Sequence, residues 1–267
     1  MLSINPFGAL SASIPPGVMH AYVVLMVVLV AAGTLFDIVH KGSARYFFEN
    51  WRRHKTNARK VGGGELASIA VKTAVVDVLA SGEFCNAKRR VAHLLTMYGF
   101  VIHLVATVAM IFSSSASDLW PRLWWIGGLM VLAGGYWFWF FIRVDVAAEG
   151  SSPFRVMRAD LFVLALLASV TLGLIWAWTL SMVWFALYII ATTVLYGSVP
   201  WSKFAHMFFK PAAAFEKRLT RADGTAENLP TQTREDPEQQ KRHSMELLRE
   251  APMDMGLGIK REAPRHY

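Results

Sequence analysis

Along most of this chain apolar residues run on in blocks rather than alternating with polar ones. Five blocks, at about 19–40, 92–113, 122–142, 160–180 and 182–207, each approach the roughly 20 residues that a helix needs to cross a hydrocarbon core. The fourth and fifth are nearly continuous. They divide near Thr179-Leu180-Ser181, because one helix of that combined length would overshoot a bilayer. The pattern predicts an all-α integral membrane protein, a five-transmembrane-helix bundle over residues 1–211. The apolar run that follows MLSINPFGALSASIPPG has no Lys or Arg before it, so a retained span is expected rather than a cleaved signal sequence.

Two stretches break the pattern. Residues 41–90 are too long for a turn; there ELASI and AVKTAVVDVLA have the spacing of an amphipathic helix on the cytoplasmic surface, after a flexible break at Gly62, Gly63 and Gly64. Residues 212–267 turn abruptly to Glu, Lys, Arg, Gln and Pro, with basic and acidic residues in equal number. That composition predicts a polar cytoplasmic tail that is disordered alone or docks a partner.

The charge refines the picture. A net charge of +8 would suit nucleic acid, but the cations lie in loops between spans, so the positive-inside rule accounts for them and no nucleic-acid partner is expected. Lys41, Arg45, Arg52, Arg53, Lys55, Arg59, Lys60, Lys72, Lys88, Arg89 and Arg90 lie between spans one and two, and Arg143, Arg155 and Arg158 between three and four. The loop between two and three holds only Arg122. The N-terminus is therefore expected outside and the C-terminus in the cytoplasm of a bacterial inner membrane. Trp120, Trp124, Trp125, Trp176, Trp178 and Trp184 fall at the outer ends, like an aromatic belt. One cysteine, Cys85, is too few for a disulfide framework or a four-cysteine cluster.

Three histidines sit in or beside the spans: His93, His103 and His206. Ionisable groups are expensive in a bilayer, and neutral imidazole is a common axial ligand of haem iron. His93 and His103 are ten residues apart, about 15 Å of rise on one helix, and so cannot share one haem. Spans two and five run in opposite directions, which lets His93 and His206 meet at one depth across a haem b. Arg89, Arg90, Arg143 or Lys203 would then pair with its propionates. Tyr188 lies eighteen residues before His206, five whole turns, on the same face. It or His20 would partner His103.

A plainer reading competes at each position. A lone intramembrane histidine also serves as a hydrogen-bonding group between helices. His40, His54, His243 and His266 read as solvated, and Cys85 as structural. Gly99, Gly127-Gly128 and Gly134-Gly135 read as close-packing positions, and Asp37 as a helix-end residue or a proton-uptake group.

The strings RRVAHLLTMYGFVIH at 89–103 and VPWSKFAHMFFKP at 199–211 resemble the cytochrome b subunits of the respiratory nitrate reductase gamma-subunit type. That group includes heterodisulfide reductase cytochrome b, DsrM and the Qmo membrane subunit. The resemblance covers about 19–211 and implies haem b ligands at His93, His103 and His206, with His93 and His206 sharing the cytoplasmic-side haem. It implies quinone as exchangeable substrate, a place in a respiratory chain, and electron transfer with a cytoplasmic partner. The family's fourth ligand falls at Tyr188, which leaves a second haem and any outer quinone site open. A short member without a cysteine-rich domain is similar to the membrane anchors of adenylylsulfate reductase, an iron–sulfur flavoprotein of sulfur metabolism. The expected role is thus an electron-transfer subunit with no catalytic site of its own. The rivals are a haem-free anchor and a small transporter; against the last stand an odd helix number and the lack of an inverted repeat.

Overall fold

The computed structural model describes residues 2–40, 59–82, 84, 86–113, 117–143, 160–202, 204 and 206–225, with isolated positions 45, 48, 49, 52 and 156. Within them the chain is helical and contains no strand. It divides into two compact units, Met1–Asp37 with Val91–Ala205 and Ile38–Arg90 with His206–Tyr267.

The first unit opens on a short helix, α1 (Pro6–Leu10). Asn5 caps it by accepting from Phe7 N at 3.0 Å, and Pro6 occupies the first position, where its missing N–H costs nothing. Helices α2 (Pro16–His40), α4 (Ala87–Phe112), α5 (Leu119–Trp137, continuing as a π-helical turn over Phe138–Ile142) and α6 (Leu161–Thr179) follow, and all four are long and apolar enough to cross a membrane. A fifth apolar helix, α7 (Met182–Gly197), is shorter. The outward faces carry Val24, Val27, Leu35, Val101, Val105, Ile126, Leu129, Phe141 and Ile190. Helices apolar on both their packed and exposed sides suit lipid, not water.

Glycine decides how these helices meet. A Cβ on Gly99 would stand 2.7 Å from the Gly127 carbonyl oxygen, one on Gly127 2.6 Å from the backbone N of His103, and one on Gly134 2.6 Å from the Ala92 oxygen. α4 and α5 therefore touch backbone to backbone, in opposite directions. The next residue of each α5 pair serves another neighbour: Gly128 faces Leu174 and Gly135 faces Leu167, both on α6. Two adjacent glycines repeated seven residues apart thus open two faces of α5 at once.

α6 and α7 form a hairpin. Leu180 between them takes a left-handed conformation (φ 52°), which ends α6 where the sequence divides it. Ser169 and Thr192 share a hydrogen bond of 2.7 Å across the hairpin, and Tyr188 lies against Gly173. α2 joins the ring through Tyr22, whose hydroxyl donates to the Ile189 carbonyl at 3.1 Å. Gly33 of α2 lies against Val199 and Pro200.

The fifth block does not run to 207 as one helix. α7 stops at Gly197, Ser198 N donates back to the Val194 carbonyl, and a turn runs through Ser202. Pro200 cannot supply a helical N–H and disfavours helix at the residue before it. His206 instead begins a separate helix, α8 (His206–Ala222), in the second unit. α8 runs across position 212, where composition had set the start of a disordered tail. Residues 226–267 of that tail lie outside the described residues.

The second unit pairs α8 with α3 (Gly63–Lys72) and the π-helical turn Thr73–Leu79 that continues it. Arg218 donates to both carboxylate oxygens of Asp77, at 2.6 and 2.8 Å. Thr73, Ala214, Leu219 and Thr220 are buried, and Arg90 Nε donates to the Ala80 carbonyl at 2.8 Å.

The glycine crossing gives the first test. Gly127→Ala is expected to cost about 1–3 kcal/mol, the usual range for overpacking, because the nearest atoms are backbone. It should lower the thermal midpoint of the detergent-solubilised protein. Gly17→Ala, with nothing within 4 Å of its added carbon, should leave the midpoint in place.

Candidate functional site

His103 is buried in the α4–α5 contact that the glycines create. Its Nδ1 lies 2.8 Å from the Trp124 carbonyl oxygen. A carbonyl only accepts, so Nδ1 carries the proton and Nε2 keeps its lone pair. The ring stacks on Trp124 at 4.5 Å between centroids. Trp124 Nε1 donates to Thr107 Oγ1 at 2.9 Å, and that hydroxyl donates to the His103 carbonyl at 2.7 Å. His103, Trp124 and Thr107 form a closed circuit in which every donor named has an acceptor. The sequence holds one signal of it, Thr107 at i+4 from His103; the Trp124 partnership needed the fold.

Tyr188 and His20, the two sequence candidates for a partner to His103, fall elsewhere. Tyr188 stacks on Trp176 at 5.7 Å and sits near Phe185. Phe7 of α1 packs edge-on against both Trp124 and Trp176, at 6.2 and 5.1 Å. Phe7 thus links Trp124, on which His103 stacks, to Trp176, on which Tyr188 stacks. His20 lies at the far end of α4: its Nε2 donates to the Ile111 carbonyl at 2.9 Å and its ring stacks on Phe112 at 4.5 Å. Ile111 is eight residues from His103, about 12 Å along the helix.

At the other end of α4, His93 follows Arg89 and Arg90 by one turn and is exposed. His206 is the first residue of α8; its side chain, like Lys203, lies outside the described residues. The convergence of His93 and His206 therefore stays an expectation. Among the described residues no group of three or more His, Cys, Asp or Glu could hold a metal ion. That does not bear on a haem held by two histidines. His93 presents an exposed imidazole.

Arg143 has a different setting from the one its sequence position suggests. It ends the π-helical turn after α5 and forms a two-pronged ion pair with Asp160, at the start of α6, with Nε to Oδ1 at 2.9 Å. Its guanidinium also lies 3.9 Å over the Trp139 ring. The side chains are only 9% and 14% exposed, so a propionate would have to displace a shielded carboxylate. Asp37, buried in α2, has interactions of its own.

This pair yields a stability test. Asp160→Ala leaves a shielded guanidinium without its counter-charge, which typically costs about 3–5 kcal/mol. The paired replacement Arg143→Leu/Asp160→Leu should recover most of that loss in thermal unfolding of the solubilised protein. If the double variant is as unstable as Asp160→Ala, the pair is not the source of the cost.

No protein-family model, curated protein or solved structure matches the chain. The likeness to the cytochrome b subunits therefore rests on residues 89–103 and 199–211 and on the run of apolar helices.

Proposed function

We propose that the protein is a membrane electron-transfer subunit that relays electrons between a cytoplasmic iron–sulfur flavoenzyme, of the adenylylsulfate reductase kind, and the quinone pool. In this reading five helices cross a bacterial cytoplasmic membrane. α7, about 24 Å long at 1.5 Å per residue, is the short fifth, extended by the turn through Ser202. The N-terminus is outside, so that the basic segment between α2 and α4 faces the cytoplasm.

The observation that carries the reading is His93. It sits in the opening turns of a membrane-length helix with its side chain exposed rather than packed into the bundle. An ionisable side chain in a helix of that kind is costly in lipid and so marks a functional position. His93 and His206 would hold a haem b, which when bound supplies a one-electron carrier. Arg89, Arg90 and Lys203 would pair with its propionates; Arg143 stays with Asp160. His103 belongs to the packing of α4 on α5. The cations of residues 41–90 and the mixed-charge segment after 222 orient the soluble partner.

A second reading, a haem-free anchor, is favoured by one observation: His20 of α2 donates Nε2–H to the Ile111 carbonyl of α4, as histidines that join helices do.

A reduced-minus-oxidised spectrum of the purified protein separates the two. The proposal expects a b-type α band, abolished in His93→Ala and His206→Ala. His103→Gln should keep the band while lowering the thermal midpoint. A wild-type protein with no such band, and no haem by pyridine haemochrome, rejects the redox reading and leaves the anchor.

A further inference from the structure

Away from the histidines, the second unit holds an open cleft of about 350 Å³ lined by Ser68, Ile69 and Lys72 of α3 and by Arg218, Arg221 and Ala222 of α8. Three cations border it, two from one helix and one from the other. Ser68 and Lys72 are four residues apart and Arg218 and Arg221 three, so each helix turns a single face to the cleft. Ile69 and Ala222 add apolar surface.

The nearby carboxylates are engaged. Asp77 receives the two-pronged bond from Arg218. Glu65 is paired with Arg59 at 2.7 Å. Asp223 accepts from Thr225 N and Oγ1 at 2.8 and 2.7 Å. Among the described residues neither Lys72 nor Arg221 has a carboxylate partner. The fork to Asp77 fixes the Arg218 guanidinium at the border of the cleft. The cleft thus presents the Lys72 ammonium, the Arg221 guanidinium and the Ser68 hydroxyl, a donor set that suits a phosphate.

We propose that this cleft binds the phosphate of an anionic phospholipid headgroup. The choice of lipid over a soluble phosphate comes from α3 and its continuation. They expose Val71, Val75 and Leu79 beside Lys72, at i, i+4 and i+8. A water-soluble phosphate makes no use of such a stripe, whereas an acyl chain does. In sequence the unit also follows α2 and precedes α4, two helices of membrane length, and basic segments that adjoin a span in sequence suit acidic headgroups. The site is independent of any haem.

The test uses the full chain in detergent, titrated with dioctanoyl phosphatidylglycerol, dioctanoyl phosphatidylcholine and sodium phosphate, with binding read by thermophoresis. Saturable binding of phosphatidylglycerol is expected, at least tenfold tighter than of phosphatidylcholine. Lys72→Gln/Arg221→Gln should weaken it at least tenfold, and Lys72→Arg/Arg221→Lys should retain it. If the glutamine variant fails to fold, the three-ligand comparison on the unaltered protein still decides. Equal binding of the two lipids overturns the proposal, and so does sodium phosphate binding as tightly as phosphatidylglycerol. Undiminished phosphatidylglycerol binding by a folded glutamine variant does so as well.

Discussion

The backbone contact between α4 and α5 is the constraint on which the first unit depends. Without side chains at Gly99, Gly127 and Gly134, two helices approach until carbonyl oxygens and amide nitrogens would lie under 3 Å from any added carbon. That approach brings the His103 ring within hydrogen-bond reach of the Trp124 carbonyl. In lipid there is no hydrophobic drive between apolar helices, so close packing and interhelical hydrogen bonds have to hold them together. The same residues supply both here. The glycines allow the approach, and His103, Trp124 and Thr107 use it to satisfy polar groups that lipid would leave unpaired.

The same logic recurs around the bundle. Gly173 makes room for Tyr188, and Ser169 meets Thr192 across the α6–α7 hairpin. Gly33 makes room for Val199, so the turn after α7 is pinned to α2 by shape. Each joint pairs a small residue on one helix with a bulky or polar one on the next. Phe7, brought in by the capped helix α1, then sits between the two tryptophans on α5 and α6. His103 and Tyr188 consequently both end in one aromatic cluster with Trp124, Phe7 and Trp176.

What the sequence made legible follows from how each signal arises. Block hydropathy reports transfer into lipid, and it located four membrane-length helices within a few residues of their ends. It also placed the break at Leu180, where the argument was bilayer thickness. Hydropathy is blind to backbone capping, so it carried the fifth helix through Gly197 and Pro200 into VPWSKFAHMFF, all apolar enough to continue. The five-turn register from Tyr188 to His206 was lost at that point, since the two residues belong to different helices. Composition likewise set a boundary at 212, although HMFFKPAAAFEKRLTRA forms one helix that buries Ala214, Glu216 and Leu219. The glycine pairs were legible as packing sites because their spacing is local. Which neighbour each one serves was not, because that depends on the ring of helices.

Charge was the least legible quantity, for a physical reason. A cation in a sequence has no visible partner, so Arg143 looked as available as Arg89 or Arg90. Asp160 lies seventeen residues away, at the start of the next described helix, and only the packing of α5 on α6 brings the two together. The shielded pair ties the end of one helix to the start of the next. In the second unit the Arg218–Asp77 fork, between residues 141 apart in sequence, joins α8 to the turn after α3. Both arginines are spoken for, which shifts the functional weight of the basic loops onto cations such as Lys72 and Arg221. The net charge that orients such a chain in a membrane is therefore not the charge it can offer a ligand. Only the residues left over after internal pairing count for that.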